Sequence, residues 1–147
     1  MALSASLRAT APTMAQVNAK PHATPKHELG TALDRASARK AERLEDVRKL
    51  AAWATAVKNR DHWKDRKTGQ RVKRTRQLDP LRAEAHHIVS RDDWNVRYDV
   101  RNGICLSFAT HDAVERHQLR IVGTVFFTVK GQRYIDGRYP IDFMEVR

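Results

Sequence analysis

The sequence predicts an α+β protein in which one long helix is followed by short strands and a second helix. Apolar residues recur at steps of three and four along residues 31–58, which is the period of an amphipathic helix. Residues 121–147 are instead rich in β-branched and aromatic residues. Between these regions, a histidine pair, an asparagine–glycine turn and a further histidine follow one another closely. These observations divide the chain into four segments.

The composition favours a polyanionic partner. Lys and Arg number 28 against 17 Asp and Glu, giving a formal net charge of +11 and a pI near 10.4. Nucleic acid is therefore the first candidate partner. A membrane surface is the second candidate, but no long apolar run supports it. Cys105 is the single cysteine, which excludes an intrachain disulfide and a Cys-x-x-Cys zinc site. This cysteine usage fits a cytoplasmic protein.

Residues 1–27 form the first segment, which is predicted to be a flexible basic tail. The segment has no Asp or Glu, is rich in Ala, Ser and Thr, and holds three of the five prolines. Few large apolar groups are available there to build a core. Mitochondrial transit peptides share this composition, so a mitochondrial location stays open beside the cytoplasmic one.

The second segment, residues 28–60, is predicted to be an amphipathic helix with Thr31 as its N-cap. Interleaved acidic and basic residues on one face suit a solvated surface. A DNA-contacting helix is the alternative. The apolar face is expected to pack on the core or to form a homodimer through residues 31–58. Its residues are Ala36, Ala38, Ala41, Leu44, Val47, Leu50, Ala51, Ala54 and Val57.

The third segment, residues 61–120, begins with a basic arm. Nine Lys or Arg face two Asp over residues 58–76. We expect the arm to contact phosphates in a salt-sensitive way that is largely independent of sequence. A solvated loop with one packed tryptophan is the alternative. The residues predicted to bind nucleic acid, in this arm and beyond it, are Arg66, Lys67, Arg71, Lys73, Arg74, Arg76, Arg91 and Arg116.

The histidine pair lies at the end of a predicted strand. Residues 81–88 alternate weakly between apolar and polar positions. Because neighbouring strand residues point to opposite faces, His86 and His87 can have different roles. A polar loop over residues 89–101 follows, and its aromatic and aliphatic side chains are expected to hold it against the core.

A second strand and a helix complete the third segment. Asn102-Gly103 is a strong turn signal, and residues 104–106 form a short predicted strand after it. Thr110 is predicted to cap a helix over residues 111–119. The predicted order is therefore strand, loop, strand, helix.

The fourth segment, residues 121–147, is predicted to be a β-hairpin extension. Residues 121–129 are rich in β-forming residues. Residues 130–132 would form the loop, and residues 133–137 would form the return strand.

The order of His86-His87, Asn102 and His111, at these spacings, resembles the HNH nuclease family with its ββα-metal, or His-Me, finger. The resemblance covers about residues 70–120. It implies a DNA endonuclease that hydrolyses phosphodiester bonds with one divalent metal ion. It further implies His87 as general base, a role that suits imidazole near neutral pH, and His86 and His111 as metal ligands. The implied metal is Mg²⁺ or Mn²⁺, while Ni²⁺, Co²⁺ and Zn²⁺ also suit imidazole.

Two assignments within this resemblance stay open. Asn102 matches the central asparagine, which in family members either braces the loop and orients the base or joins the metal shell. Glu115 lies one helical turn after His111, so the two can share one metal. His117 is the other candidate ligand, although it points elsewhere on an ideal helix.

The chain also departs from the family. Many small members hold a structural zinc with paired cysteines, whereas Cys105 stands alone here. We therefore expect packing, by the long helix or the C-terminal strands, to hold the finger. Short cysteine-poor members are common in phages and bacteria, which implies a similar origin. The alternative function is a non-catalytic nucleic-acid-binding protein on a degenerate finger.

Overall fold

The computed structural model describes residues 26–146, with side chains from residue 31 onward. The α+β class is confirmed. Most of the predicted basic tail, residues 1–27, lies outside the described residues. The elements in chain order are α1 (Lys26–Arg60), β1 (Ala83–His87), a 3-10 turn (Val100–Asn102), β2 (Gly103–Ser107), α2 (Phe108–Glu115), β3 (Leu119–Gly123), β4 (Phe126–Val129), β5 (Gln132–Ile135) and β6 (Ile141–Glu145).

The long helix begins earlier than predicted. Thr31 lies inside α1, so the prediction that it caps the helix is wrong. The residues before Thr31 are mostly good helix formers, and one helical glycine costs only about 1 kcal/mol. The chain divides into two compact units after Ser37, so that the first turns of α1 belong to the N-terminal unit. The remaining features described below belong to the second unit.

Only the last part of α1 is buried in the second unit. Trp53 and Val57 are 5% and 0% exposed. Leu44 and Val47, from the predicted apolar face, are both 62% exposed. The expected packing of that face on the core therefore holds only near its C-terminal end, where the helix meets β2 at Gly103.

The strand, strand and helix order of the third segment is observed. β1 and β2 pair antiparallel, with His86 opposite Ile104 and His87 opposite Gly103. Helix α2 follows β2 directly, and the Ser107 side chain caps it by accepting a hydrogen bond from the Thr110 backbone at 3.2 Å. The prediction of Thr110 as the cap is therefore wrong. The helix begins earlier because β2 ends at Ser107.

Helix α2 also ends earlier than predicted. His117 adopts a φ of 57°, a left-handed conformation that a continuing helix cannot contain. The last helical residue is Glu115, and Leu119 already begins β3. The predicted helix over residues 111–119 is thus about one turn too long at this end.

The C-terminal segment is more than one hairpin. β4 and β5 form the predicted hairpin. The strands that precede and follow this hairpin in the chain, β3 and β6, pair antiparallel with each other. The single strand predicted over residues 121–129 is two strands, β3, which ends at Gly123, and β4, which begins at Phe126. Position 123 requires glycine, since a Cβ there would lie 2.2 Å from the Ile135 side chain.

Two buried aspartates secure the turn after α1 to β2. Asp61, whose side chain is 1% exposed, accepts hydrogen bonds from Arg60, Arg66 and the Cys105 backbone at 2.8–2.9 Å. Asp65 accepts from the Ser107 backbone at 2.8 Å. Hydrogen-bonded carboxylates thus join β2 to the turn, a contribution that the expectation of packing alone did not include.

The same region contains a small core. Cys105 is fully buried and packs with Val72 and Ala83, and Trp63 covers the group. Burial raises the pKa of the Cys105 thiol to about 12. Burial also raises the pKa of Asp65, but hydrogen bonds from Ser107, Thr110 and Thr68 outweigh that effect and leave it below its ordinary value.

Asp61→Ala should destabilise the protein by about 3–5 kcal/mol, because it removes one member of a buried charge network. Glu45→Ala is the matched control, since the Glu45–Arg48 pair is 43% and 80% exposed and such pairs contribute about 0–1 kcal/mol. Urea unfolding followed by circular dichroism measures both. Equal losses in the two variants would contradict the anchoring role of Asp61.

Candidate metal centre

The end of β1 and helix α2 bring three predicted metal ligands together. Glu115 Oε1 lies 3.5 Å from His86 Nδ1 and 3.8 Å from His111 Nε2. All three ligand atoms lie within 4.8 Å of one another. Ligand atoms that share one ion at bonds of about 2.0–2.2 Å are about 3.0–3.5 Å apart. Small side-chain movements would therefore allow the three to bind a single metal ion.

His86 is the most buried of the three candidate ligands. The His86 side chain is 11% exposed, and its ring meets that of His111 edge to face at 5.1 Å. Burial, followed by repulsion from His111 and His87, lowers the pKa of His86 to about 4. His86 is therefore neutral near pH 7, as a metal ligand must be. Glu115, 60% exposed, adds a carboxylate at the solvent side.

His87 faces a different environment from His86. Its ring stacks on the indole of Trp53, with centroids 3.6 Å apart and planes 8° from parallel. His87 Nε2 lies 2.9 Å from the Arg97 carbonyl oxygen. A carbonyl only accepts, so Nε2 carries the hydrogen and Nδ1 of the neutral ring keeps a free lone pair.

Opposing influences act on the protonation of His87. Burial lowers its pKa below the ordinary value, and the charges of Arg97 and Arg91 lower it further. The hydrogen bond to the Arg97 carbonyl acts in the opposite direction. The net effect favours the neutral imidazole, which is the form that can accept a proton.

Asn102 braces the loop between β1 and β2. Its side chain is fully buried. Oδ1 accepts from the Val89 backbone at 2.8 Å, and Nδ2 donates to the carbonyls of Val89 and Val96 at 3.1 and 3.4 Å. The amide is thus committed to the backbone of the loop. Of the two expectations for Asn102, bracing is the one that this geometry supports.

The histidines open onto one cleft with a volume of about 870 Å³. His86, His87, His111 and Glu115 line it, together with two arginines and residues of the C-terminal strands. The apolar side chains that these strands contribute are Leu119, Ile121 and Ile135, and Val146, which follows β6, adds another. His117 lies outside the group of three ligands but contributes to the cleft lining.

Both arginines at the cleft are available for a ligand. Arg91 and Arg120 are exposed, and neither side chain forms an ion pair with a described residue. Arg91 was predicted from sequence to bind nucleic acid. Arg120 was missed because it lies just beyond the predicted helix, outside the basic arm, in what proves to be strand β3.

The remaining residues predicted to bind nucleic acid differ in whether their side chains already have a partner within the protein. Arg66 is only 20% exposed and donates to Asp61 and to the carbonyls of Gly137 and Tyr139, so it is committed to internal contacts. Lys73 and Arg116 pair with Asp79 and Asp112, and Arg74 lies 4.1 Å over the Trp63 ring. The exposed side chains that form neither an ion pair nor a cation–π contact among the described residues are Lys67, Arg71 and Arg76.

Comparisons with protein-family models, curated proteins and solved structures found no match to this chain. Within the part of the chain that the structure describes, no helix combines the length and apolarity needed to cross a membrane.

The metal-free protein should lose stability on acidification because of His86. The unfolded chain binds a proton near pH 6.5, whereas folded His86 resists protonation until about pH 4. The contribution of His86 to the free energy of unfolding is therefore fully present above about pH 6.5. It decreases as the pH falls from about 6.5 to about 4, by at most about 1.4 kcal/mol per pH unit. Urea unfolding in EDTA from about pH 7 to 5 should show a shallower pH dependence for His86→Gln than for wild type. Equal slopes would contradict the assignment.

Proposed function

We propose that this protein is a metal-dependent HNH, or ββα-metal, endonuclease that hydrolyses DNA phosphodiester bonds. The observation that carries the proposal is the group His86, His111 and Glu115, with His87 lining the same cleft. These residues lie on β1 and α2 in the strand, strand, helix order that the resemblance implies. The net charge of +11 supports a polyanionic substrate.

In this proposal His86, His111 and Glu115 hold one divalent metal ion. The bound ion would neutralise charge on the phosphate and on the departing oxygen. Two imidazoles and one carboxylate fit Mn²⁺, Zn²⁺, Ni²⁺ or Co²⁺, whereas Mg²⁺ prefers oxygen ligands. Mn²⁺ is accordingly the first metal to test, with Mg²⁺ beside it.

His87 acts as the general base in this proposal. Its Nδ1 would take a proton from a water molecule as the water oxygen attacks the phosphorus. The bond from phosphorus to the 3′ oxygen would break, and that oxygen would leave as a 3′-hydroxyl after taking up a proton from solvent, with the phosphate kept on the 5′ side. The hydrogen bond from Nε2 to the Arg97 carbonyl leaves Nδ1 as the accepting atom. Asn102 has a positioning role, because it fixes the loop that contains Arg97.

In this proposal the substrate is bound by two arginines of the cleft and by basic side chains of the arm over residues 58–76. Arg91 and Arg120 lie at the cleft itself and would contact phosphates next to the scissile bond. Lys67, Arg71 and Arg76 would extend the contact along the DNA backbone. Such contacts are strengthened by counterion release and weaken as salt concentration rises.

Assembly and location remain predictions. Leu44 and Val47 leave apolar surface exposed on α1, which suits a homodimer through the helix at residues 31–58. A cytoplasmic location in a bacterial or phage-infected cell is the expected setting, with a mitochondrial one as the alternative.

Purified protein should nick or linearise supercoiled plasmid with Mn²⁺ or Mg²⁺, and EDTA should abolish the reaction. His87→Ala should lower the rate by about 10²–10⁴-fold while DNA binding is retained, because the variant lacks the base. His62→Ala is the matched control, since His62 is exposed and lies outside the metal group.

The same experiment separates the two candidate functions. Retained, salt-sensitive DNA binding without cleavage by any metal would overturn the nuclease proposal for duplex DNA. It would favour the non-catalytic nucleic-acid-binding alternative.

Wild-type protein should bind one equivalent of Mn²⁺ or Co²⁺ in a calorimetric titration. His111→Ala should weaken binding by about tenfold or more, because it removes one of three protein ligands. His62→Ala should bind like wild type. If His111→Ala retained full affinity, the metal would have to lie elsewhere.

A further inference from the structure

We propose that Trp53 of α1 is a positioning residue that holds the His87 imidazole in the orientation and tautomer required of a general base. The inference rests on the proposed role of His87. Trp53 is 5% exposed, and its indole lies parallel to the imidazole at 3.6 Å. Parallel contact at this distance fixes the plane of the smaller ring, because rotation of the imidazole would break the stack and collide with the indole.

Trp53 is itself fixed at two points. Its Nε1 donates a hydrogen bond to the Asp99 carbonyl at 2.9 Å. Next to Nε1, on the same edge of the ring, Cζ2 approaches the backbone of Gly103, the residue paired with His87 across β1 and β2. A Cβ at Gly103 would lie 2.6 Å from Trp53 Cζ2. Only glycine at this position allows the indole to approach so closely.

A second contact from α1 fixes the partner of His87 Nε2. Asp46 accepts two hydrogen bonds from the Arg97 guanidinium, at 3.0 and 2.7 Å. Arg97 also donates to the Arg91 carbonyl at 2.7 Å, so both its side chain and the loop around it are held. The Arg97 carbonyl is therefore placed to receive the Nε2 hydrogen of His87. Trp53 sets the plane of the ring and so keeps Nε2 directed at the Arg97 carbonyl. Because a carbonyl only accepts, this alignment fixes the hydrogen on Nε2.

This arrangement should affect the rate of the chemical step and not the binding of DNA or metal. A base that can rotate spends less time with its lone pair aimed at the reacting water, so the chemical step slows. Among the described residues, no hydrogen bond or ring stack joins the indole to the three proposed metal ligands or to Arg91 and Arg120. Loss of the indole should therefore lower kcat and leave KM for DNA and the affinity for Mn²⁺ nearly unchanged.

The test compares wild type with Trp53→Leu and Trp53→Phe in plasmid cleavage with Mn²⁺. We expect kcat to fall by about tenfold or more in Trp53→Leu, as for other losses of alignment, and by less in Trp53→Phe, which retains a ring for stacking. Thr55→Ala is the same-helix control, because Thr55 is exposed and should leave kcat unchanged. Circular dichroism and Mn²⁺ calorimetry verify that each variant is folded.

A second measurement does not depend on cleavage. Nitrogen-15 NMR of the imidazoles should show His87 as a single Nε2–H tautomer in wild type and as a mixture in Trp53→Leu. If Trp53→Leu does not fold, Trp53→Phe provides the same comparison.

The outcomes separate the two proposals. An inactive wild type overturns the nuclease, and the NMR result then decides whether Trp53 fixes the ring. An active wild type whose kcat and His87 tautomer are unchanged in Trp53→Leu and Trp53→Phe overturns the positioning role. A variant that loses Mn²⁺ affinity together with kcat also overturns it, since that loss would reflect general structural damage.

Discussion

The geometry of the cleft depends on the hydrogen bonds that the buried Asp61 carboxylate accepts. It accepts hydrogen bonds from the end of α1, from Arg66 in the following turn and from the Cys105 backbone in β2. Strand β2 sets the register of β1, and α2 begins where β2 ends. The positions of His86 and His111 therefore follow from the anchoring of a strand that contains neither residue. Burial makes the network strong, because an unpaired charge in its place would be costly.

Alternation along β1 gives the two adjacent histidines different surroundings. His86 faces His111 and Glu115 of α2, whereas His87 stacks on Trp53 of α1. Both have lowered pKa values, with burial as the largest cause. Helix α1 thus does more than cover a core. Asp46 holds the Arg97 side chain of the loop between β1 and β2, and Trp53 stacks on the His87 ring, which lines the cleft.

Local patterns were sufficient for much of the site. Helix spacing predicted that His111 and Glu115 share one face of α2, and strand alternation predicted different surroundings for His86 and His87, since these relations extend over few residues. That His86 would lie beside His111 was implied by the family resemblance alone. Long-range relations escaped prediction. The internal partners of Arg66 lie 71 and 73 residues along the chain, and no periodicity reveals that Trp53 lies on His87. Ser107 and Thr110 are both good caps, and the choice between them was decided by where β2 ends.

The buried thiol of Cys105 gives the protein a practical property. Its raised pKa and its complete enclosure keep the sulfur from acting as a nucleophile. It is also the only cysteine in the chain. A new cysteine in place of Leu78, which is 79% exposed, would consequently be the one thiol that reacts with a maleimide. Fluorescent dyes and spin labels can then be attached at a chosen point without first altering the native sequence elsewhere.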